Sequence, residues 1–457
     1  MLKIVVAVIV ALVLVVFGFV WFSGKHVDVK LVKEVPAIGT DTPIRVEADD
    51  PHGAKSFSAS IEQNGQTQTV YQDQTKSKQT SRIYTFTAGQ KQVPFLKEGS
   101  ARLILKANSN DLRGETTILS QDLQVVLRPP SISADGRQHY INQGGAELVT
   151  LDLSGNWTDA GVRVANYSAG TFPMPGQPDN SNQRFSLFPY PWDVSPSTDP
   201  VAFARNAAGT EVTTTFWVKV FPKKFKETNI QLTDEKMQKV LNDIDPGGTG
   251  TVLDRFIRLN REMRRANTQQ IYNMRTNTEK RILWSGPFIP VKGARESFFA
   301  DKRSYIYNGK VVDRQVHLGY DLAQTAHTPV KAANSGKVIY ADRLGLYGNC
   351  VILDHGYSLQ SLYGHMSKIA VKVGDMVQKE QEIGTSGQTG MAFGDHVHFS
   401  MMIAGYQVDP KEWWDEHWIH DRILSKIGSE QGNEKLTASS NAASHEGTRR
   451  ASRRRHR

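Results

Sequence analysis

The sequence predicts a mainly β protein with one helical stretch and an apolar N-terminal segment. Most of the chain after His26 consists of short runs in which apolar and polar residues alternate, separated by turn residues. Such runs are typical of strands with one buried face. Apolar residues recur at helical spacing only between Thr233 and Met263. The 457 residues, 39% of them hydrophobic, are enough for about three ordinary globular domains.

Residues 1–25 are predicted to be a transmembrane signal anchor. The uninterrupted apolar run Ile4–Phe22 would form a helix about 28 Å long, close to the thickness of the hydrocarbon core of a bilayer. It ends in aromatic residues and lacks the small-residue site of a cleaved signal peptide. A buried core helix would show a polar face. We therefore expect a single-pass protein of the inner membrane whose remaining chain lies outside the cytoplasm, in the periplasm.

The composition excludes some kinds of site and favours some kinds of binding partner. The single cysteine, Cys350, excludes an intramolecular disulfide and a cysteine-rich metal site. The net charge of +9 suits an anionic partner such as a cell wall or a lipid surface. No base-recognition module is visible, so no nucleic-acid partner is expected. Part of the positive charge lies in residues 427–457, a Ser-, Asn-, Gly- and Arg-rich stretch predicted to be a disordered tail.

Two β-sandwich modules are predicted, over residues 26–130 and 131–226, with Pro129-Pro130 at their joint. The stretch Ala204–Glu211 is similar to the last hairpin of bacterial immunoglobulin-like modules, which favours that type of sandwich. Neither module contains a recognisable cluster of catalytic or metal-binding residues. They are either inert scaffold or a spacer, lid or docking surface for envelope protein partners.

Residues 227–296 are predicted to be a helical linker. Thr233 is a good N-cap and is followed by two apolar stripes with helical spacing. The segment Asp243–Gly250 between them resembles a calcium loop but lacks two of its ligands. A plain helix–turn–helix connection is therefore the prediction.

The C-terminal domain, residues 297–426, is predicted to be compact and antiparallel. Asn308-Gly309 between two β-prone runs indicates a type I′ hairpin whose second strand leads into His317. Five further strand-like runs follow, many of them separated by glycines.

Five residues of this domain form a hydrolytic constellation: His317, Asp321, His365, His396 and His398. A catalytic zinc commonly takes three protein ligands, and hydrolysis also needs a group that moves protons. Because residues two apart in a strand share a face, His396 and His398 can enter one cleft, one as ligand and one as proton carrier. Each short motif alone is common. Together, in one β domain, they indicate a zinc site.

The same domain closely resembles the lysostaphin/LytM-type zinc metallopeptidases, which cleave peptidoglycan peptides. The resemblance covers about residues 297–414 and rests on matching motifs at 317–321, 328–332, 336–338, 347–349, 355–356, 363–366, 373–377, 383–390 and 396–399. It implies the lysostaphin/LytM-like fold, a duplicated hybrid motif. It also implies zinc as the cofactor, held by His317, Asp321 and His398, and His365 and His396 as the catalytic pair.

The resemblance further implies an endopeptidase that uses zinc-activated water to hydrolyse peptide cross-links between peptidoglycan stem peptides. One of the two catalytic histidines would act as base and the other would stabilise the oxyanion or protonate the leaving amine. The alternative is a catalytically silent wall-binding or hydrolase-activating module. Such relatives typically lack zinc ligands, whereas this chain keeps all three. His355 also matches a family position, but its place at the end of a strand favours a structural role.

Overall fold

The computed structural model describes residues 9–13, 15, 26–111, 113–323 and 325–428. These residues are mainly β, as predicted, with few helices. The anchor predicted over 1–25 lies outside the described residues except for 9–13 and 15. The tail predicted over 427–457 lies outside them from 429 onward. Within the described ranges, no helix has the length and apolar character needed to cross a membrane.

The chain divides into two compact units. The first comprises residues 1–131, 154–159 and 204–212, and the second comprises 132–153, 160–203 and 213–457. Most of the segment predicted as a second sandwich therefore belongs to the same unit as the C-terminal domain. The bounds of the six predicted segments stay predictions.

The first unit contains two sheets around one apolar core. Its strands are β1 (Asp28–Leu31), β2 (Ala37–Ile38), β3 (Thr42–Asp49), β4 (Ala54–Gln63), β5 (Gln66–Asp73), β6 (Ser81–Ala88), β7 (Gly99–Ser109) and β8 (Thr116–Val125). The sheet orders are β1-β3-β6 and β2-β8-β7-β4-β5. Phe57 of β4 stacks on Tyr84 of β6 with ring centroids 4.2 Å apart, so both sheets contribute to the core.

Ten shorter strands follow. They are β9 (Ser131–Ala134), β10 (His139–Asn142), β11 (Ala146–Ser154), β12 (Asp159–Val164), β13 (Tyr167–Gly170), β14 (Phe172–Pro173), β15 (Gln183–Pro189), β16 (Val201–Arg205), β17 (Glu211–Thr215) and β18 (Val218–Phe221). They form sheets in the orders β14-β15-β11-β9 and β13-β12-β16-β17, and a parallel pair of β10 and β18.

The two predicted helices are confirmed as α1 (Asp234–Ile244) and α2 (Val252–Asn273). Thr233 and Thr251 cap them by accepting hydrogen bonds from Lys236 N and Asp254 N. Their apolar stripes bury Leu241 and Leu259 against Leu346 of the C-terminal domain. The helical stretch therefore packs on that domain instead of bridging open space.

The C-terminal domain is built on a long sheet. Its strands are β19 (Glu227–Gln231), β20 (Ala294–Ser297), β21 (Asp301–Tyr307), β22 (Lys310–His317), β23 (Tyr320–Ala323), β24 (Pro329–Lys331), β25 (Gly336–Arg343), β26 (Asn349–Asp354), β27 (Leu359–Met366), β28 (Lys368–Ile369), β29 (Met376–Val377), β30 (Glu382–Thr385), β31 (His396–Ile403) and β32 (Tyr406–Val408). The main sheet has the order β20-β23-β31-β27-β26-β25-β29, with β32 beside β31. Two smaller sheets have the orders β19-β21-β22 and β24-β30-β28.

The Asn308-Gly309 turn between β21 and β22 has φ angles of 50° and 74°, as a type I′ hairpin requires. The described strand pairs within residues 297–426 are antiparallel, as predicted. One strand from outside that range, β19, pairs parallel with β21. That strand comes from the segment predicted as linker. The sequence gives no local sign of this pairing, because two helices separate the two parallel strands along the chain.

The remaining helical elements are short. They are 3₁₀ turns at Met274–Thr276, Gly345–Tyr347 and Pro410–Trp414, helix α3 (Glu416–Ile419), a π turn at His420–Leu424 and helix α4 (Ser425–Ile427). Trp413 is fully buried. Cys350 is also fully buried, and burial raises the pKa of its thiol, as expected for an inert side chain.

A buried carboxyl group joins the C-terminal segment to β11. Glu412 Oε1 accepts a hydrogen bond from Asn142 Nδ2 at 2.8 Å, and Oε2 accepts one from the Ala146 backbone N–H at 3.0 Å. Burial raises the pKa of Glu412 from its ordinary value of 4.5 to about 8. The folded protein therefore keeps a proton at Glu412 that the unfolded chain has already lost at neutral pH.

The raised pKa of Glu412 predicts that the protein becomes less stable as pH rises. The contribution of Glu412 is fully present below pH 4.5 and is lost as pH rises to about 8. Across that range the free energy of unfolding should fall by on the order of 3 to 5 kcal/mol through this group. Urea unfolding at several pH values should show this slope in the native protein and a flatter one in Glu412→Gln. Equal slopes would contradict the prediction.

Candidate metal and catalytic site

The structure brings the three predicted metal ligands together. His317 ends β22, Asp321 lies on β23 and His398 lies on β31, where it is directly paired with Asp321. His317 Nε2 lies 2.9 Å from Asp321 Oδ1 and 2.8 Å from His398 Nδ1, and the last two atoms are 3.1 Å apart. All three side chains are buried. Two imidazole nitrogens and one carboxylate oxygen at such separations are a donor set that fits zinc.

The other polar atom of each ligand is engaged by the protein. His317 Nδ1 donates to the Phe298 carbonyl at 3.2 Å, and His398 Nε2 donates to Ser400 Oγ at 2.9 Å. These bonds leave His317 Nε2 and His398 Nδ1 with free lone pairs directed at one point. Outer contacts of this kind fix the tautomer and orientation of metal-binding histidines.

Gly319 is required between the first two ligands. A Cβ atom at this position would lie 2.6 Å from the His398 ring. Any larger residue would therefore push away the third ligand.

The ionisation of the three groups suits a cation. Burial lowers the pKa of His317 to about 3 and also lowers the pKa of His398. Burial opposes ionisation of Asp321, but the neighbouring histidines and Arg303 hold its pKa well below the usual value. At neutral pH the site presents two neutral imidazoles and a carboxylate, which is the protonation state that binds a metal.

The two predicted catalytic histidines lie beside this triad. The rings of His365 on β27 and His396 on β31 have centroids 4.6 Å apart, and His396 Nε2 lies 3.6 Å from Asp321 Oδ1. His365 Nδ1 donates to the Thr389 carbonyl at 2.8 Å, and His396 Nδ1 donates to the Gly394 carbonyl at 2.9 Å. In both rings Nε2 is then the atom with a free lone pair. The structure thus assembles all five predicted residues, and their individual roles stay predictions.

The remaining histidines lie elsewhere. His355 is fully buried, with Nδ1 2.7 Å from the Ser335 carbonyl and Nε2 2.8 Å from Ser361 Oγ, which favours the structural role. His327 is exposed and contacts Ser367 Oγ.

Sequence reasoning missed several residues of the site. A cavity of about 230 Å³ contains the five residues and is also lined by Arg303, Tyr347, and Arg264 and Thr268 of α2. The Tyr347 ring lies 5.1 Å from the His398 ring. The helix contributes to the cavity wall only through tertiary packing, so the linear spacing of its residues gave no sign of it.

The five site residues lie within a segment that matches a known family. The model of Peptidase family M23 matches residues 315–410. Residues 315–410 form an M23 peptidase domain. The M23 domain is a metallopeptidase, in agreement with the predicted enzyme class and with the zinc-type donor set.

Curated relatives match part of the chain. It is 34% identical over 113 residues to "Peptidoglycan DD-endopeptidase ShyB" of Vibrio cholerae serotype O1, covering 25% of this chain and 26% of that protein. "Peptidoglycan DD-endopeptidase ShyA" of the same organism is 38% identical over 93 residues, covering 20% and 22%. The chain thus spans about a quarter of the length of these relatives.

A solved structure also matches part of the chain. It is the catalytic domain of the antimicrobial peptidase lysostaphin from Staphylococcus simulans, with 29% identity and a TM-score of 0.20. The match covers 31% of this chain and 94% of that one.

Arg303 neutralises the ligand carboxylate of the M23 domain. Its Nη2 donates to Asp321 Oδ2 and to Ser297 Oγ, both at 2.6 Å, and only 17% of its side chain is exposed. Asp321 Oδ2 is thereby occupied, and Oδ1 is left for the metal. Removing one partner of a buried ion pair leaves an uncompensated charge, which costs roughly 3 to 5 kcal/mol.

A double-mutant cycle should therefore reveal strong coupling in the metal-free protein. We expect Arg303→Met to lower the free energy of unfolding by roughly 3 kcal/mol, because Asp321 stays ionised and buried. Arg303→Met with Asp321→Asn should cost less than the sum of the two single changes, by at least about 1 kcal/mol. Chemical denaturation in chelator measures these values. In the control cycle, Arg295→Met at an exposed arginine and Asp321→Asn should have additive effects on the free energy of unfolding. Additive effects of Arg303→Met and Asp321→Asn would contradict the interpretation.

Proposed function

We propose that the chain is a membrane-anchored zinc metalloendopeptidase that hydrolyses the peptide cross-links of bacterial peptidoglycan. One observation carries the proposal: three donor atoms converge within about 3 Å in an M23 domain. Two further histidines, each with a free lone pair on Nε2, lie beside these donors. The named activity of ShyB and ShyA supports peptidoglycan as the substrate.

His317, Asp321 and His398 would hold the zinc. When bound, zinc supplies Lewis-acid chemistry that polarises a scissile carbonyl and activates water for attack. His365 and His396 then move the protons. Because backbone carbonyls hold Nδ1–H in both rings, each Nε2 can accept a proton from the attacking water and return it to the leaving amine. Arg264 and Thr268 of α2 line the same cavity.

The location outside the cytoplasm is part of the proposal. The apolar run Ile4–Phe22 supports an anchor in the inner membrane, with the catalytic domain in the periplasm. The net charge of +9 suits an anionic wall. A D-alanine to diaminopimelate cross-link is the bond that we propose to be cut. A catalytically silent module is not favoured, because the complete donor set and both further histidines come together.

Digestion of purified sacculi by the full-length chain tests the function. We expect soluble muropeptides whose masses show cleaved cross-links, no release in the presence of chelator, and recovery after zinc is restored. His317→Ala should lose both bound zinc and activity, because one of three donors is gone. His365→Ala and His396→Ala should keep zinc but lose about 10²- to 10⁴-fold in rate.

His327→Asn is the matched control, since it removes an exposed imidazole outside the site and tolerates the positive φ of 59°. It should release muropeptides at the native rate. Native-level release by a folded His317→Ala variant would contradict the proposed function.

A further inference from the structure

A basic cleft lies on the second unit, outside the residues that match the family. We define it by Trp192, Lys223, Lys224, Phe225, Lys226 and Lys302, which line a cavity of about 730 Å³. Its floor is aromatic, because the Trp192 and Phe225 rings meet edge to face with centroids 6.2 Å apart. Its rim is cationic, because all four lysines are exposed. An aromatic floor with a cationic rim suits a ligand that carries both apolar faces and carboxylates.

Two of the four lysines are available to an anion. Lys223 is paired with the buried carboxylate of Asp409, and Lys302 lies 3.9 Å from Glu227. Lys224 and Lys226 have no carboxylate partner within the described part of the chain. Lys226 Nζ instead lies 5.5 Å from the centroid of the Phe298 ring. The cleft therefore keeps uncompensated positive charge on its rim, although Asp193 and Glu227 also lie on its wall.

The cleft adjoins the candidate metal site. Lys302 and Arg303 are neighbours on β21, and consecutive residues of a strand point to opposite faces. Arg303 reaches Asp321, whereas Lys302 lines the cleft. Phe298, which lies beneath Lys226, accepts the hydrogen bond from His317 Nδ1. One layer of residues thus separates the cleft from the first metal ligand.

We propose that the basic cleft binds the carboxylate-bearing part of a peptidoglycan strand next to the cross-link being cut. The inference rests on the proposed function and adds a binding site to it. Stem peptides and the sugars that carry them combine free carboxylates with apolar faces, which matches the rim and the floor. Such contacts would raise the affinity for sacculi more than the rate of the chemical step.

Binding can be measured apart from cleavage. The full-length chain with His396→Ala, kept in mild detergent, is sedimented with purified sacculi over a range of salt concentrations. In this background we expect Lys224→Gln with Lys226→Gln to weaken binding about three- to ten-fold at low salt, and less at high salt. The control, Lys310→Gln with Lys372→Gln, removes two exposed charges outside the cleft and should bind like the parent.

Kinetics supply a second readout in the otherwise native chain. The Lys224/Lys226 variant should show a raised KM on sacculi with little change in kcat. The cleft proposal would be overturned if the Lys224/Lys226 variant bound sacculi like the parent, or if the control variant lost binding equally. It would also be overturned if the Lys224/Lys226 variant lost binding only to anionic lipid vesicles. Lysine-dependent binding without any cleavage by the native chain would instead leave the cleft standing and overturn the proposed function.

Discussion

The buried carboxylate of Asp321 is the interaction on which the site depends. It contacts His317 from β22, His398 from β31 and Arg303 from β21, so it joins residues of three other strands. Without a counter-charge this group would be costly to bury. Arg303 supplies a permanent positive counter-charge, and a metal ion at Asp321 Oδ1 would supply a second one. The direct pairing of Asp321 with His398 across β23 and β31 makes this geometry a consequence of sheet register.

The helices serve the site at a distance. The loop after β30 carries Thr389, whose carbonyl fixes the tautomer of His365. Asp243 at the end of α1 accepts a hydrogen bond from the Gly390 backbone at 2.6 Å, and Lys239 bonds to Gln388. The helical segment therefore holds both sides of Thr389. A stretch that looked like a linker in the sequence thus helps to position His365.

Short-range sequence patterns predicted those elements of the fold that neighbouring residues determine. Strand alternation placed His396 and His398 on one face, Asn308-Gly309 defined the hairpin that delivers His317, and the Thr233 cap marked the start of the first helix. Arg303 could not be recognised, because its role appears only once β21 and β23 lie in the same domain. The parallel contact of β19 with β21 likewise depends on a partner far away in the chain. The resemblance to a zinc peptidase family indicated the five residues but not the contacts that orient them.

X-ray absorption at the zinc edge of the loaded full-length protein can test whether His317, Asp321 and His398 hold the metal, because it counts the atoms around the metal. We expect two imidazole nitrogens and one carboxylate oxygen from the protein, at about 2.0 to 2.2 Å. Asp321→Asn should change the oxygen shell while both imidazoles stay. A spectrum with no imidazole scattering, or one unchanged by Asp321→Asn, would contradict this set of ligands.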